Sequence, residues 1–281
     1  MKINPLSYNT NTQSSQVKDF AKDKDALRAS NFPDKEVEHV VLSYMNDKNI
    51  QRLVKVISDK SILVSAPFTS KEGPKNKIPE HYADELAKRL NLSVVHLSDY
   101  IKFVQDKSSR KTYNVEERAV NDFSFEFKDP AKEATLKKIL SNKDVILIDD
   151  VITTGETLSH LSAYLHKRLG SKIKEGHALV AVGNSRPSDR DMQRFSGKIV
   201  EQIGNKYSNR EILSRTMDYF EPYTRLKMAR FERMIVSPET AMSVLNTMDQ
   251  DKQRIDINLL KSIERPAGRP MTKDKDFDKE R

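Results

Sequence analysis

"DVILIDDVITTGETLSH", residues 144–160, is the stretch that decides the fold. Four apolar residues, Val145, Ile146, Leu147 and Ile148, run without a polar break and end at two adjacent carboxylates, Asp149 and Asp150. A short unbroken apolar run is what a strand covered on both faces requires, as in a parallel sheet flanked by helices. Thr153, Thr154, Gly155, Glu156 and Thr157 follow, and then Leu158, Leu161, Leu165 and Leu169 at the spacing of one helix face, stopped by Gly170.

In an open parallel sheet, ligands sit beyond the carboxyl ends of the strands, where Asp149 and Asp150 fall. Two adjacent ionised carboxylates are costly in a closed interior, so the pair is expected to face solvent or a polar ligand. Carboxylates accept hydrogen bonds from sugar hydroxyls. The first backbone N–H groups of the following helix attract anions, Thr153, Thr154 and Thr157 add hydroxyls, and Gly155 lets the backbone approach closely. Acids for a ribose and a turn for its phosphate describe a sugar-phosphate site. The plainer reading is that the acids only end a strand and a threonine caps the helix; the concurrence of apolar run, acid pair and turn weighs against it.

Outward from this stretch, strand and helix patterns alternate. "SILVSAPF" (61–68), "SVVHL" (93–97) and "HALVAVG" (177–183) read as further buried strands. Val37, Val40, Val41 and Tyr44 mark one helix, and Ile50, Leu53, Val54 and Ile57 a second. Pro79 opens a third lined by Ala83, Leu86, Ala87 and Leu90, and another spans about 130–141. The alternation predicts an α/β domain over 34–200, with a parallel sheet covered by helices on both faces. Residues 1–33 are polar and aperiodic and are expected to be a disordered or loosely packed arm. Residues 98–128 are long, charged and irregular, as a lid would be. Residues 201–263 read as a helical extension, with stripes at Ile212, Leu213, Met217 and Phe220, at Met242, Leu245 and Met248, and at Leu259, Leu260 and Ile263; residues 264–281 read as a disordered tail.

The chain has 281 residues, a net charge of +8, 37% hydrophobic residues and no cysteine. Disulfides and thiolate zinc sites are excluded, and no metal-ligand cluster is visible. No apolar run approaches the roughly 20 residues of a membrane span, and "MKINPLSYNTNTQSSQ" lacks the apolar core of a signal peptide, so a cytoplasmic location is expected. Between His160 and Arg215 stand eleven Lys or Arg against five Asp or Glu, a basic excess that suits a polyphosphate substrate, a nucleic acid or simply a solvated surface.

"VILIDDVITTGET" resembles the phosphoribosyl pyrophosphate (PRPP) signature of the type I phosphoribosyltransferases (PRTases), and the resemblance extends over about 60–183. It implies a Rossmann-like parallel sheet with helical amino- and carboxyl-terminal extensions, Mg²⁺ as cofactor, PRPP as substrate and a nitrogenous base or related acceptor. It implies that Asp149 and Asp150 hold the ribose hydroxyls, while Thr153, Thr154, Gly155, Glu156 and Thr157 wrap the 5′-phosphate. "SAPF" places Ser65, Ala66, Pro67 and Phe68 at the pyrophosphate loop. "NKIPEHYADELAKRL" (76–90) and "YNVEERAVNDFSF" (113–125) resemble the ComF-type subgroup, the latter its lid, which implies roles for Arg118, Asn121 and Phe123. Arg110, Lys111 and Tyr113 join the lid by position, and Arg118 is the candidate catalytic cation. The chain departs from ComF in lacking the cysteines of its amino-terminal zinc module and in carrying a carboxyl-terminal extension. Three functions follow as alternatives: a Mg²⁺-dependent phosphoribosyltransferase, a non-catalytic PRPP or nucleotide sensor, and a ComF-like accessory in DNA uptake or nucleic-acid processing. A homodimer is expected, with the apolar stripes of the extension packed on the core or on a second copy, and a nucleic-acid or protein partner through the basic and carboxyl-terminal segments is the alternative.

Overall fold

The run Val145–Ile148 lies in the middle of the sheet in a computed structural model that describes residues 7–9, 14–67, 74–104, 124–181, 187–221, 223 and 225–249. In chain order the strands are β1 (Ser7–Asn9), β2 (Ser61–Ser65), β3 (Ser93–His96), β4 (Ile101–Val104), β5 (Ser124–Phe127), β6 (Asp144–Ile152) and β7 (Lys172–Ala181). The helices are α1 (Ser14–Ala29), α2 (Asp34–Tyr44), α3 (Asp47–Val54), α4 (Ile78–Leu90), α5 (Pro130–Leu140), α6 (Glu156–Leu169), α7 (Asp189–Ile203), α8 (Asn209–Phe220), α9 (Arg225–Met234) and α10 (238–249). Five strands form one sheet of order β1-β7-β6-β2-β3, and every neighbouring pair is parallel. The expected parallel α/β fold is therefore present.

Side chains alternate across a strand, and β6 shows what its unbroken apolar run does. Val145 and Leu147 join a core with Leu136 and Leu140 of α5 and Leu158, Leu161 and Leu165 of α6. Ile146 and Ile148 join the opposite core with Val37 and Val41 of α2 and Tyr82, Ala83 and Leu86 of α4. Both faces of the strand are thus covered, which is why no polar residue interrupts it. The helix ends follow local chemistry: Pro79 opens α4 where its missing N–H is harmless, and Gly170 ends α6 at φ 70°.

Two sequence expectations are corrected. The disordered arm expected over 1–33 does not hold for 14–33: α1 is a helix, and Phe20, Leu27 and Phe32 are buried in the core that holds Ile146 and Ile148. Three large apolar residues set in polar sequence carry no visible period, yet each finds a place against the sheet-covering helices. Residues 98–128 are also less irregular than read, because β4 and β5 pair antiparallel there, with Phe103 and Phe125 edge to face at 5.8 Å. The segment 105–123 between them lies outside the described residues.

A third core belongs to α7–α10. Met192, Phe195 and Ile199 of α7 pack with Ile212 and Phe220 of α8, Met228 and Phe231 of α9, and Val244, Leu245 and Met248 of α10. This helical unit begins at α7, ahead of the boundary at 200 read from the sequence. Met217, expected on the inner stripe, is 42% exposed. Leu259, Leu260, Ile263 and the tail lie outside the described residues.

One buried histidine makes the fold pH-dependent. His177 of β7 has no exposed surface, its Nε2 lies 2.7 Å from the Tyr82 hydroxyl, and burial holds its pKa down at about 4 against an ordinary 6.5. The unfolded chain therefore takes up this proton first, so the contribution to stability is complete above pH 6.5 and is lost as pH falls towards 4. By linkage, about 2 kcal/mol should disappear between about pH 7.5 and 5. Urea unfolding at the two pH values should show that loss, and His177→Gln should flatten the slope by that amount; identical slopes would contradict the assignment.

Candidate active site

The period of β6 that buries Ile146 and Ile148 against α1, α2 and α4 sends Asp150 to the same face, and two groups meet it there. The Lys24 ammonium of α1 forms an ion pair with Asp150 Oδ2, and Asn76 Nδ2, just ahead of α4, donates to the same oxygen at 2.8 Å. Lys24 stands four residues after Phe20 and three before Leu27, so the helix face that buries those two also delivers the ammonium. Asp149 Oδ1 accepts the Asp150 backbone N–H at 2.8 Å.

The acids are 8% and 5% exposed, so of the two surroundings expected for the pair, solvent or a polar ligand, the structure does not provide open solvent. The closed interior accepts them because Lys24 supplies the counter-charge and Asn76 and the backbone supply donors. Their acidities are driven apart. Burial, and then the charge of Asp150, holds the Asp149 carboxyl well above the usual range. Burial also opposes ionisation of Asp150, but Lys24 and Asn76 overcome it and leave that group below its ordinary value.

Beyond Ile152 the chain turns through Thr153, Thr154 and Gly155. Gly155 is the N-cap of α6 at φ 80°, ψ 2°, a left-handed conformation that a side chain would strain. Thr153 is exposed and Thr157 half-buried. Thr154 is buried, and its hydroxyl donates to Glu156 Oε2 at 3.0 Å. The other oxygen of Glu156 lies 2.9 Å from Lys227 Nζ of α9. Two of the residues assigned to the phosphate by resemblance thus spend their side chains behind the turn: Thr154 gives its hydroxyl proton to Glu156, and Glu156 faces a lysine. What these two can offer an anion is backbone N–H, alongside the hydroxyls of Thr153 and Thr157.

The neighbouring strand ends at the same edge. Ser65 of β2 pairs in register with Ile148, and the Ala66 N–H donates to the Ile148 carbonyl at 2.8 Å. Ser65, Ala66 and Pro67 are buried. Ser65 Oγ and His96 Nδ1 are hydrogen-bonded at 3.0 Å, and His96 Nε2 lies 3.2 Å from Asp84 Oδ1. The structure therefore brings together Ser65, Ala66, Asp149, Asp150 and the 153–157 turn at the carboxyl ends of β2 and β6. Phe68, Arg110, Lys111, Tyr113, Arg118, Asn121 and Phe123 lie outside the described residues. No cluster of three or more potential metal ligands occurs among the described residues.

Sequence reasoning missed Lys24, Asn76 and Lys227. Phe20, Lys24 and Leu27 share a helix face, but two apolar positions among charged neighbours are too few to stand out as a period. Lys227 sits among Tyr219, Tyr223 and Phe231, an aromatic density that nothing local explains. Five of the eleven basic residues over 160–215 stand in ion pairs: Arg168 with Glu133, Lys172 and Lys174 with Asp144, Arg194 with Glu232, and Arg215 with Glu211 and Asp249.

Removing the Lys24 cation should expose the cost of the buried acids. Lys24→Ala is expected to lower stability by about 2–3 kcal/mol, and adding Asp150→Asn should restore most of the loss. Denaturant unfolding of the single and double variants measures both; a neutral Lys24→Ala would mean that the pair contributes nothing to the fold.

Against this geometry, residues 81–210 match the family model described as the phosphoribosyl transferase domain. The chain is also 24% identical over 119 residues to a ribose-phosphate pyrophosphokinase of Thermoplasma acidophilum, an alignment covering 42% of this chain and 40% of that protein. The chain thus spans well under half the length of that relative. The family match runs from α4 into α8 and contains the acid pair and the turn, whereas Lys24, Ser65, Asn76 and Lys227 fall outside it. A parallel sheet whose central strand ends in paired acids, followed by a glycine-capped helix, is the arrangement this match leads one to look for, and residues 81–210 are accordingly a phosphoribosyl transferase domain in a chain with the type I phosphoribosyltransferase fold.

Proposed function

We propose that the chain binds PRPP with Mg²⁺ and transfers its 5-phosphoribosyl group to a nitrogenous base or related acceptor. The observation that carries this reading is the buried pair Asp149 and Asp150 set one turn before the Gly155-capped start of α6. In the reaction the bond from ribose C1 to the pyrophosphate oxygen breaks, pyrophosphate leaves with the electron pair, and a nitrogen lone pair forms the new bond to C1. Positive charge gathers on the ribose ring and negative charge on the leaving group, so positioning and electrostatics do most of the work.

Asp149 and Asp150 serve the ribose hydroxyls in this reading, and Lys24 keeps Asp150 ionised while they do so. The backbone N–H groups of 153–157, with the Thr153 and Thr157 hydroxyls, take the 5′-phosphate. Ser65, Ala66, Pro67 and Phe68 meet the pyrophosphate, where the bond to His96 fixes the Ser65 hydroxyl. Arg118, Arg110, Lys111, Tyr113 and Asn121 act as a lid that excludes water. Two adjacent carboxylates are a poor cage for a bare cation, but they suit Mg²⁺, which keeps waters and substrate oxygens as most of its ligands. When bound beside Asp149 and Asp150, that ion supplies charge neutralisation at the ribose and pyrophosphate oxygens.

The likeness to a ribose-phosphate pyrophosphokinase favours a second reading, pyrophosphoryl transfer onto a ribose phosphate at the same site. The ion pairs of Arg168, Lys172, Lys174, Arg194 and Arg215 leave less free positive charge for a nucleic acid. A cytoplasmic homodimer remains part of the proposal, with the exposed Met217 and Val236 of the helical unit as its contact residues.

Calorimetry with PRPP and Mg²⁺, followed by pyrophosphate release over a panel of purine and pyrimidine bases, tests the reading. Binding with release supports transfer, binding without release a sensor, and AMP formation from ATP and ribose 5-phosphate the pyrophosphokinase. Asp149→Asn with Asp150→Asn should weaken PRPP binding at least a hundredfold in a protein that still melts cooperatively. Unchanged affinity would remove the ribose role of the pair.

A further inference from the structure

We infer that Lys227, carried by the helical unit α7–α10, is a positioning residue of the phosphate-binding turn, acting through Glu156. The inference rests on the reading of 153–157 as the site of the sugar phosphate. Glu156 is the first residue of α6, and a carboxylate there suits the helix dipole but opposes a phosphate arriving at the same N–H groups. Lys227 removes that conflict. Its Nζ lies 2.9 Å from Glu156 Oε1, and both residues are buried, 3% and 8% exposed.

The lysine is itself held in place. Its Nζ stands 4.0 Å from the centroid of the Tyr223 ring, 5.5 Å from that of Tyr219 and 5.7 Å from that of Phe231, a set of aromatic faces that favours a cation. These rings belong to the core of the helical unit, where an apolar residue would pack at lower desolvation cost than an ammonium. Glu156 passes the constraint on, since its second oxygen accepts the Thr154 hydroxyl at 3.0 Å. Lys227, Glu156 and Thr154 therefore form one chain that braces the turn from behind and neutralises the carboxylate nearest to it.

Titration of the full-length protein with ribose 5-phosphate and, separately, with pyrophosphate distinguishes positioning from simple stability. Lys227→Met should weaken ribose 5-phosphate at least tenfold and leave pyrophosphate within twofold, because pyrophosphate belongs to the 65–68 loop. Lys227→Arg should restore most of the loss. Lys227→Met with Glu156→Gln, which leaves no lone buried charge, should fold even if the single variant does not; its ribose 5-phosphate affinity should fall between those of the wild type and Lys227→Met, or several-fold below the wild type where the single variant cannot be measured. Parallel losses of both ligands, or wild-type ribose 5-phosphate affinity in a folded Lys227→Met or in the double variant, overturn the inference alone. A wild-type chain that binds neither ligand overturns the reading of the site, and the inference with it.

Discussion

The structure depends on how two carboxylates can be held at the end of a strand that is covered on both faces. β6 needs that cover, since Val145, Ile146, Leu147 and Ile148 are all without exposed surface. The same cover shuts water away from Asp149 and Asp150. An isolated buried carboxylate would simply take up a proton, and two together would do so more readily. One cation and one amide change the outcome for a single member of the pair: Lys24 and Asn76 keep Asp150 acidic, while at Asp149 burial and the charge of Asp150 outweigh the same lysine and push it the other way. The asymmetry leaves the two carboxyls unequal, Asp150 favouring its ionised form and Asp149 resisting ionisation.

The charge of the chain reads differently once its partners are known. A net +8 with a local basic excess invites an open electropositive face. Several of the lysines and arginines concerned instead tie helices and strands together: Arg168 joins α6 to α5, Lys172 and Lys174 fasten the start of β7 to that of β6, and Arg215 joins α8 to α10. Exposed pairs of this kind add little stability each. Their effect is on the field, because each one removes a charge that a polyanion would otherwise meet.

The parallel sheet and the place of its site were legible because they rest on patterns within single segments. The unbroken apolar run of β6, the leucine stripe of α6 and the glycine at each end of that helix all follow from local physics. What could not be read was the company these residues keep. α1 hides because its contribution to the core is Phe20 and Leu27 among charged neighbours, too sparse for a period and still enough to dock a helix already held by α2. The side-chain direction of Glu156 was equally out of reach: its spacing places it in the 153–157 turn, and Lys227, 71 positions later, meets the carboxylate from behind that turn. The boundary at 200 failed for a related reason, since Met192, Phe195 and Ile199 form a good helix stripe whichever core receives them.

Two lysines from outside the family-matched stretch, Lys24 before it and Lys227 after it, each neutralise an acid that belongs to the motif. Neither flank is then an appendage in the energetic sense. A core domain cut to the matched residues would retain Asp149, Asp150 and Glu156 but lose both counter-charges along with the packing of β2 and the flanking helices. The carboxyl-terminal flank in turn gains a fixed docking point, because an ion pair with both partners buried, as Lys227 and Glu156 are, tolerates little displacement. Motif and extensions therefore constrain one another: the acids select where α1 and α9 must lie, and the lysines on those helices determine which of the acids remain charged.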